Sequence, residues 1–276
     1  MEATEEISEF SLTQRQSVLI PPERLKEFIP VVVGVGNVGH QVALMLAKMG
    51  AKNVILVDPD VVGPENVYPQ GYPMPSLGQP KVDYCGSEMV EFEPAYIDPM
   101  SVPKDMAYLD MCDGPITFHD RFDPEKHLPE DASKAVIFCC VDSMETRGEI
   151  FRSTIIDRQC PLFIDGRVGG ETMHIFAVTP DTADDYVKTL FLDSEASAAP
   201  CGARATIYTG TIAAGFMVHQ FAAFLRKLKL HCRMELTLCD HDISIPEFEP
   251  DHAQDDKAQR AECEDRGVAG EGGCPD

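Results

Sequence analysis

Short apolar runs alternate with longer stretches of helical spacing along most of the chain. The run at 31–33 is β-branched and ends in glycine, so it predicts a buried strand. Apolar side chains then recur at helical spacing over 40–49, and a second apolar run follows at 53–57. A strand, a helix and a strand in this order predict a βαβ unit.

The same alternation continues to about residue 240. Helical spacing predicts helices over 81–92, 145–158 and 205–230. Short apolar runs predict strands at 116–119, 135–141, 162–164, 171–178 and 234–238. Together these elements predict an α/β fold with a Rossmann-like, mostly parallel sheet flanked by helices.

Composition divides the chain into three segments. An N-terminal arm with a short helix is predicted over 1–30, and the α/β domain over 31–245. Residues 246–276 are acidic, poor in large apolar side chains and rich in glycine near the end, so we predict a disordered tail there.

Charge and hydropathy narrow the classes of partner. The chain holds 46 acidic and 23 basic side chains among 276 residues, which is a formal net charge of −23. Nucleic-acid binding needs cations that meet phosphates, so this balance argues against DNA or RNA as a partner. The N-terminus lacks the apolar run of a secretory signal, and no run reaches the ~18 apolar residues of a membrane span. We therefore expect a cytoplasmic protein with no membrane partner.

A glycine-rich turn joins the first predicted strand to the first predicted helix. Gly34, Gly36 and Gly39 there follow the G-x-G-x-x-G pattern, which allows a tight turn and close approach of the backbone to a phosphate. Asp58 ends the next strand, 19 residues after Gly39, where a carboxylate can accept hydrogen bonds from ribose hydroxyls. These features predict a nucleotide site and leave NAD, FAD and ATP open.

A proline-rich segment follows the second strand. Residues 59–80 hold six prolines, at 59, 64, 69, 73, 75 and 80. Proline fixes φ and lowers the entropy of a free loop, so we interpret the segment as an ordered binding loop rather than a mobile insert.

Five short motifs in this order resemble the ThiF/MoeB/HesA family of ubiquitin-E1-like adenylating enzymes. The motifs are Arg15-Gln16, the acid pair Asp58 and Asp60, Asn66 with Gln70, Gly78-Gln79-Pro80-Lys81, and Asp142 to Arg147. The family's corresponding patterns are R-Y-x-R-Q, D-x-D, N-x-x-R-Q, G-x-x-K and D-N-x-x-x-R. The resemblance runs from about residue 13 to about residue 240.

The resemblance implies an E1-like adenylation domain whose sheet ends in antiparallel strands. It implies an ATP- and Mg²⁺-dependent adenylyltransferase that activates the C-terminal carboxylate of a small partner. That partner would be a ubiquitin-like or sulfur-carrier protein ending in Gly-Gly. The family resemblance also implies a homodimer.

The resemblance assigns roles to individual side chains. Lys81 would contact the phosphates, Asp142 would hold Mg²⁺, and Arg15 would reach the triphosphate bound by the partner subunit. Each has a structural alternative: a solvated lysine at a helix start, a helix N-cap and an ordinary surface arginine, respectively. The remaining nucleotide-binding residues implied by the resemblance are Gly34, Gly36, Gly39, Asp58, Asp60, Asn66 and Gln70.

Three positions depart from the family pattern. Pro69 replaces the arginine of N-x-x-R-Q, Ser143 replaces the asparagine after the magnesium aspartate, and Asn37-Val38 stands where many members carry Gly-Leu. Proline cannot contact a phosphate ionically. Either a different arginine (Arg15, Arg147 or Arg167) substitutes, or adenylation is weak or lost and the chain is an ATP-binding dimeric scaffold.

Cys201 precedes the last predicted helix, where some family members carry a cysteine that accepts the activated acyl group. A thiol near a helix N-terminus is favoured as thiolate, although a partly buried structural cysteine fits the same pattern. Two other functions stay open. The glycine turn and Asp58 alone would suit an NAD-dependent oxidoreductase, and the family also includes activation of a carboxylate on a modified tRNA base, which the charge of −23 disfavours.

Overall fold

The computed structural model describes residues 13–92, 115–191 and 206–246. These residues build an eight-stranded sheet of order β3-β2-β1-β4-β5-β6-β7-β8. The strands are β1 (Ile29–Val33), β2 (Ile55–Val57), β3 (Ile116–Phe118), β4 (Ala135–Cys139), β5 (Leu162–Gly169), β6 (Thr172–Val178), β7 (Arg233–Thr237) and β8 (Asp242–Ser244).

The type of strand pairing changes once across this sheet, between β5 and β6. The strands from β3 to β5 run parallel, and β6, β7 and β8 continue the sheet in antiparallel pairings. The predicted fold class is therefore confirmed, including the antiparallel C-terminal strands. Strand order reverses at β1, which lies between β2 and β4, and ligands of open α/β sheets bind in the crevice at such a switch point.

Helices connect the strands and cover the sheet. They are α1 (Pro22–Leu25), α2 (Asn37–Lys48), α3 (Val67–Gln70), α4 (Lys81–Val90), α5 (Pro124–His127), α6 (Met144–Phe151), α7 (Ala183–Val187) and α8 (Ile207–Leu225). None of the helices in the described ranges has the length and hydropathy that crossing a bilayer requires. All of these elements belong to a unit that ends at Ile245.

Both faces of the sheet are buried. Val32 of β1 belongs to a core cluster that includes Val42 of α2 and Phe221 of α8. Its neighbours Val31 and Val33 face a second cluster under α6 and α7. Side chains alternate between the faces of a strand, so a continuously apolar run such as β1 needs helices on both sides.

Several boundaries differ from those predicted by the sequence. The strand predicted at 162–164 extends to Gly169, because its polar second half pairs with β6. The predicted last strand is followed by β8, which is short and partly exposed and so carries little periodic signal. The helix predicted over 145–158 is α-helical to Phe151 and π-helical over Arg152–Ile156. Cys201 and residues 247–276 lie outside the described residues, so the three-segment division stays a prediction.

Candidate functional site

The predicted nucleotide residues meet at the carboxyl ends of β1, β2 and β4. Main-chain hydrogen bonds join the three strand ends. The N–H of Gly34 donates to the Val57 carbonyl at 2.8 Å, and the N–H of Cys140 donates to the Val33 carbonyl at 2.8 Å. The turn after β1 is thereby held in the crevice at the switch point.

Two of the three turn glycines are required by the backbone. Gly34 has a φ of +87°, and a Cβ there would lie 2.8 Å from the Cys140 carbonyl oxygen. A Cβ on Gly39 would lie 1.8 Å from the Gly34 oxygen, so the first turn of α2 packs directly on the loop. Gly36 has a negative φ, and a Cβ there would meet the Gln70 side chain at 3.8 Å. A side chain at position 36 would therefore lie against the Gln70 carboxamide, in ordinary van der Waals contact.

The start of α2 is suited to an anion. No side chain caps this end of the 12-residue helix. The first N–H groups of a helix lack main-chain partners, and the helix dipole favours negative charge there. This geometry is consistent with a phosphate site at the start of α2, and the site itself stays a prediction.

Asp58 is buried behind the glycine turn. Its Oδ2 accepts a hydrogen bond from the Val35 N–H at 2.6 Å, and its Oδ1 accepts one from the Asp60 N–H at 2.8 Å. Burial raises the pKa of Asp58, and these two hydrogen bonds oppose the increase. The carboxylate therefore ties the turn to the following loop. The ribose role predicted for Asp58 stays a prediction, and the more exposed Asp60 is a second carboxylate at the same strand end.

The proline-rich loop is closed at its neck. Val61 and Pro80 form an antiparallel bridge, and the Val62 N–H donates to the Gln79 carbonyl at 2.9 Å. The N–H of Gly78 returns a hydrogen bond to the Val62 carbonyl at 2.9 Å. The interpretation as an ordered loop is consistent with this closure, which brings Lys81 back to the strand end that the loop leaves.

Lys81 is buried and faces Asp60. Its side chain is 7% exposed, and Nζ lies 2.9 Å from Oδ2 of Asp60. The alternative of a solvated helix-start lysine is therefore wrong. Asn66 is also buried, and its Oδ1 accepts a hydrogen bond from the Gly63 N–H at 2.8 Å, so it shapes the loop. Gln70 places its carboxamide beside Gly36.

Asp142 lies on the loop after β4 and is exposed. The helix that follows begins at Met144, and its N-cap is Ser143, whose Oγ accepts a hydrogen bond from the Thr146 N–H at 3.2 Å. The alternative of Asp142 as the N-cap is therefore wrong. Its carboxylate is available at the same edge of the sheet as the glycine turn.

A buried ionic cluster lies beside this loop. Asp165 is fully buried on β5, and its carboxylate pairs with both Arg147 and Arg167 and accepts a hydrogen bond from Tyr186 at 2.9 Å. Arg147 also donates to the carbonyl of Val141, the residue before Asp142. Asp165 went unnoticed in the sequence, although a lone acid after an apolar strand run is a usable signal.

This cluster bears on the missing arginine at position 69. Both Arg147 and Arg167 are bound to Asp165, and Arg167 donates further to Thr189 at 2.8 and 3.0 Å. The hypothesis that either of them replaces the family's arginine is therefore disfavoured. Their role in this arrangement is to hold neighbouring loops.

Arg15 lies at the other end of α2 from the glycine turn. Its neighbour Gln16 donates to the carbonyls of Lys48 and Met49, both at 3.2 Å. With 12 residues at about 1.5 Å each, α2 separates Arg15 from the turn by about 18 Å. The structure therefore does not bring Arg15 to the other site residues of its own chain. Cys201 lies outside the described residues, so its position is not defined.

Comparison with known proteins gives a family match over most of the chain. The model of the ThiF family matches residues 13–264. Among curated relatives, ubiquitin-like modifier-activating enzyme 5 of Caenorhabditis elegans is 29% identical over 139 residues, which cover 49% of this chain and 30% of that protein. The tRNA threonylcarbamoyladenosine dehydratase of Bacillus subtilis (strain 168) is 40% identical over 73 residues, which cover 26% of this chain and 29% of that protein. The chain thus spans less than a third of either relative.

Solved structures of the same architecture include E. coli MccB with ATP. That structure superposes with a TM-score of 0.60 at 15% identity and covers 88% of this chain and 73% of its own. PaaA superposes with a TM-score of 0.58 at 19% identity and covers 86% of this chain and 69% of its own. At these identities the likeness shows the fold.

Proposed function

The chain belongs to the ThiF family, and from this premise we propose that it is an ATP-dependent adenylyltransferase. Its substrate would be the C-terminal carboxylate of a small ubiquitin-like or sulfur-carrier protein ending in Gly-Gly. The observation that carries the proposal is the meeting of the glycine turn, Lys81 and Asp142 at one edge of the sheet. MccB, which shares the fold, has been solved with ATP and with AMPCPP, and this supports ATP as the nucleotide.

The reaction needs positive charge around the phosphates. A carboxylate oxygen of the partner protein attacks the α-phosphorus, the bond from that phosphorus to the β-bridging oxygen breaks, and pyrophosphate leaves with the electron pair. The start of α2 offers N–H groups to phosphate oxygens. Lys81, buried and tethered to the loop neck, offers an ammonium group that can exchange Asp60 for a phosphate.

Asp142 suits magnesium by its chemistry. Mg²⁺ usually binds through one or two carboxylates together with phosphates and water, so a single exposed aspartate beside the phosphate turn is sufficient. Bound there, Mg²⁺ would offset negative charge on the phosphate oxygens. Arg147 would keep the loop in place through the Val141 carbonyl.

Arg15 is proposed to act on the second subunit of a homodimer. The distance of about 18 Å along α2 keeps it from its own turn, whereas a partner related by twofold symmetry can receive it. Mixing Arg15→Ala subunits with Lys81→Ala subunits should restore part of the activity, because each mixed dimer then holds one intact site. No restoration on mixing would contradict action across the dimer.

We propose Cys201 as the acceptor of the acyl group. After losing its proton, the thiol attacks the acyl carbon and AMP leaves, which forms a thioester. A partner protein bound through a thioester is released by a thiol reductant, so incubation with ATP should give a reductant-sensitive conjugate. The conjugate should be lost in Cys201→Ala and kept in Cys239→Ala, a change at an exposed cysteine on the surface. A conjugate that persists in Cys201→Ala would rule out this assignment.

ATP–pyrophosphate exchange tests the central proposal. Exchange should depend on a Gly-Gly protein and fall about 100-fold or more in Lys81→Ala and in Asp142→Asn, since each removes one electrostatic contact to the reacting phosphates. Matched controls are Lys134→Ala and Asp157→Asn, both on the surface. The proposal fails if wild type binds no ATP, or if exchange survives both site variants.

A scaffold without turnover is the second candidate, and it is favoured by the pairing of the cations around the site. Pro69 supplies no cation, Lys81 pairs with Asp60, and Arg147 pairs with Asp165. This candidate would be supported if calorimetry shows that the protein binds ATP and if no Gly-Gly protein that is added leads to AMP formation. AMP formation that requires the partner would exclude it.

Activation of a tRNA base is a third candidate, motivated by the similarity to the Bacillus subtilis dehydratase over 73 residues. Its test is stimulation of ATP hydrolysis by modified tRNA rather than by a Gly-Gly protein. The net charge of −23 weighs against it. The family match leaves the NAD-dependent oxidoreductase without support.

A further inference from the structure

Asn37 is the first residue of α2 and lies where the phosphates are expected. Its Nδ2 donates to two main-chain carbonyls, that of Pro69 in the proline-rich loop and that of Thr206, the N-cap of α8, at 3.0 Å. One carboxamide thus joins the glycine turn, the loop and the start of α8. These contacts span 32 and 169 residues of sequence.

The orientation of this carboxamide is set by its partners. Two carbonyl oxygens face Nδ2, so a flipped side chain would place its own oxygen against both of them. Oδ1 is buried and has no hydrogen-bond partner among the residues that the structure describes. Leaving a buried acceptor unsatisfied is unfavourable, and such groups call for an explanation beyond stability.

Gly210 makes room for this arrangement. A Cβ at Gly210 would lie 2.2 Å from Oδ1 of Asn37 and 2.7 Å from its carbonyl oxygen. Gly215, more than a turn further along the same helix, has no atom within 4 Å of the corresponding position. The Asn37 side chain therefore requires glycine at position 210, whereas an alanine at position 215 of the same helix would contact no residue that the structure describes.

Two departures from the family pattern meet in this contact. Asn37 stands where many members carry glycine, and Pro69 stands where the family carries arginine. The Pro69 side chain cannot hold a phosphate, but its carbonyl is held against the phosphate-binding end of α2. A fixed loop needs no reorganisation when the nucleotide binds, which favours affinity.

We propose that Asn37 is a positioning residue of the nucleotide site, which fixes the proline-rich loop and the start of α8 around the phosphate end of α2. The inference rests on the proposed ATP site. It predicts that removing the carboxamide weakens ATP binding even though Asn37 need not touch ATP. It also predicts that Gly210→Ala acts on ATP binding through Asn37.

The test measures ATP affinity by calorimetry in wild type, Asn37→Gly, Gly210→Ala, Gly215→Ala and the double variant Asn37→Gly/Gly210→Ala. Asn37→Gly should raise the Kd for ATP about tenfold, the ratio that corresponds to the loss of one to two net hydrogen bonds. Gly210→Ala should raise it similarly, and Gly215→Ala should leave it unchanged. The double variant should lose less affinity than the product of the two single losses, because the alanine no longer meets a carboxamide, although it still meets the main-chain carbonyl oxygen of residue 37 at 2.7 Å.

Stability is measured on the same variants to separate positioning from folding. Glycine-to-alanine exchange within a helix is itself favourable by propensity, so Gly215→Ala should unfold at an equal or higher temperature. A Kd unchanged in Asn37→Gly, or losses that multiply in the double variant, would overturn the inference while leaving the proposed function intact. A wild type that binds no ATP would instead remove the proposed function together with it.

Discussion

Replacing Asp165 with asparagine tests the buried ionic cluster. Asparagine keeps the shape of the side chain but leaves two largely buried guanidinium groups, those of Arg147 and Arg167, without a counter-charge. Removing one partner of a buried ion pair costs about 3–5 kcal/mol. For a domain of this size that corresponds to a decrease of about 6–20 °C in melting temperature. Tyr186 also donates to this carboxylate and would lose its charged acceptor, which acts in the same direction.

The assay is urea unfolding at neutral pH, repeated by thermal melting. Asp157→Asn is the surface control and should change the free energy of unfolding by less than about 0.5 kcal/mol. Adding Arg147→Met to Asp165→Asn should recover part of the loss, because it removes one of the unpaired charges. A loss below about 1 kcal/mol for Asp165→Asn, or a double variant that loses the sum of both single changes, would refute the reasoning.

Two further predictions concern the helix after β4 and a buried histidine. Ser143→Ala should lower the free energy of unfolding by about 1 kcal/mol, because it removes the N-cap of the helix. Asp142→Ala should abolish ATP–pyrophosphate exchange and change the free energy of unfolding less. Equal losses of stability in the two variants would contradict this assignment. Burial lowers the pKa of His127 below its ordinary 6.5, so the folded protein binds fewer protons at this group than the unfolded chain does. The contribution of neutral His127 to the free energy of unfolding is therefore fully present above pH 6.5 and is lost as pH falls through the lowered pKa. In melting curves from about pH 7.5 to about pH 5, His127→Phe should show less of this decline, and an unchanged pH profile would argue against it.

Local patterns in the sequence were enough to predict the fold class and most of its helices and strands. Periods of two and 3.6 residues located most strands and helices, and the glycine spacing with Asp58 located the crevice at the switch point. The β8 strand was missed because a short, partly exposed strand has little hydrophobic periodicity. The sequence pattern does not predict the extension of β5, because the residues at its polar end are held in the sheet by pairing with β6 and carry no apolar run.

The sequence by itself determined the order of the elements, the glycine turn and the loop that ends at Lys81, since these depend on neighbours a few residues apart. Only the tertiary structure decided which groups meet across the fold. It bound Arg147 to an acid 18 residues away, placed Arg15 at the far end of α2, and joined Asn37 to a carbonyl 169 residues away. Such contacts arise from packing between distant segments, for which spacing along the chain carries no signal.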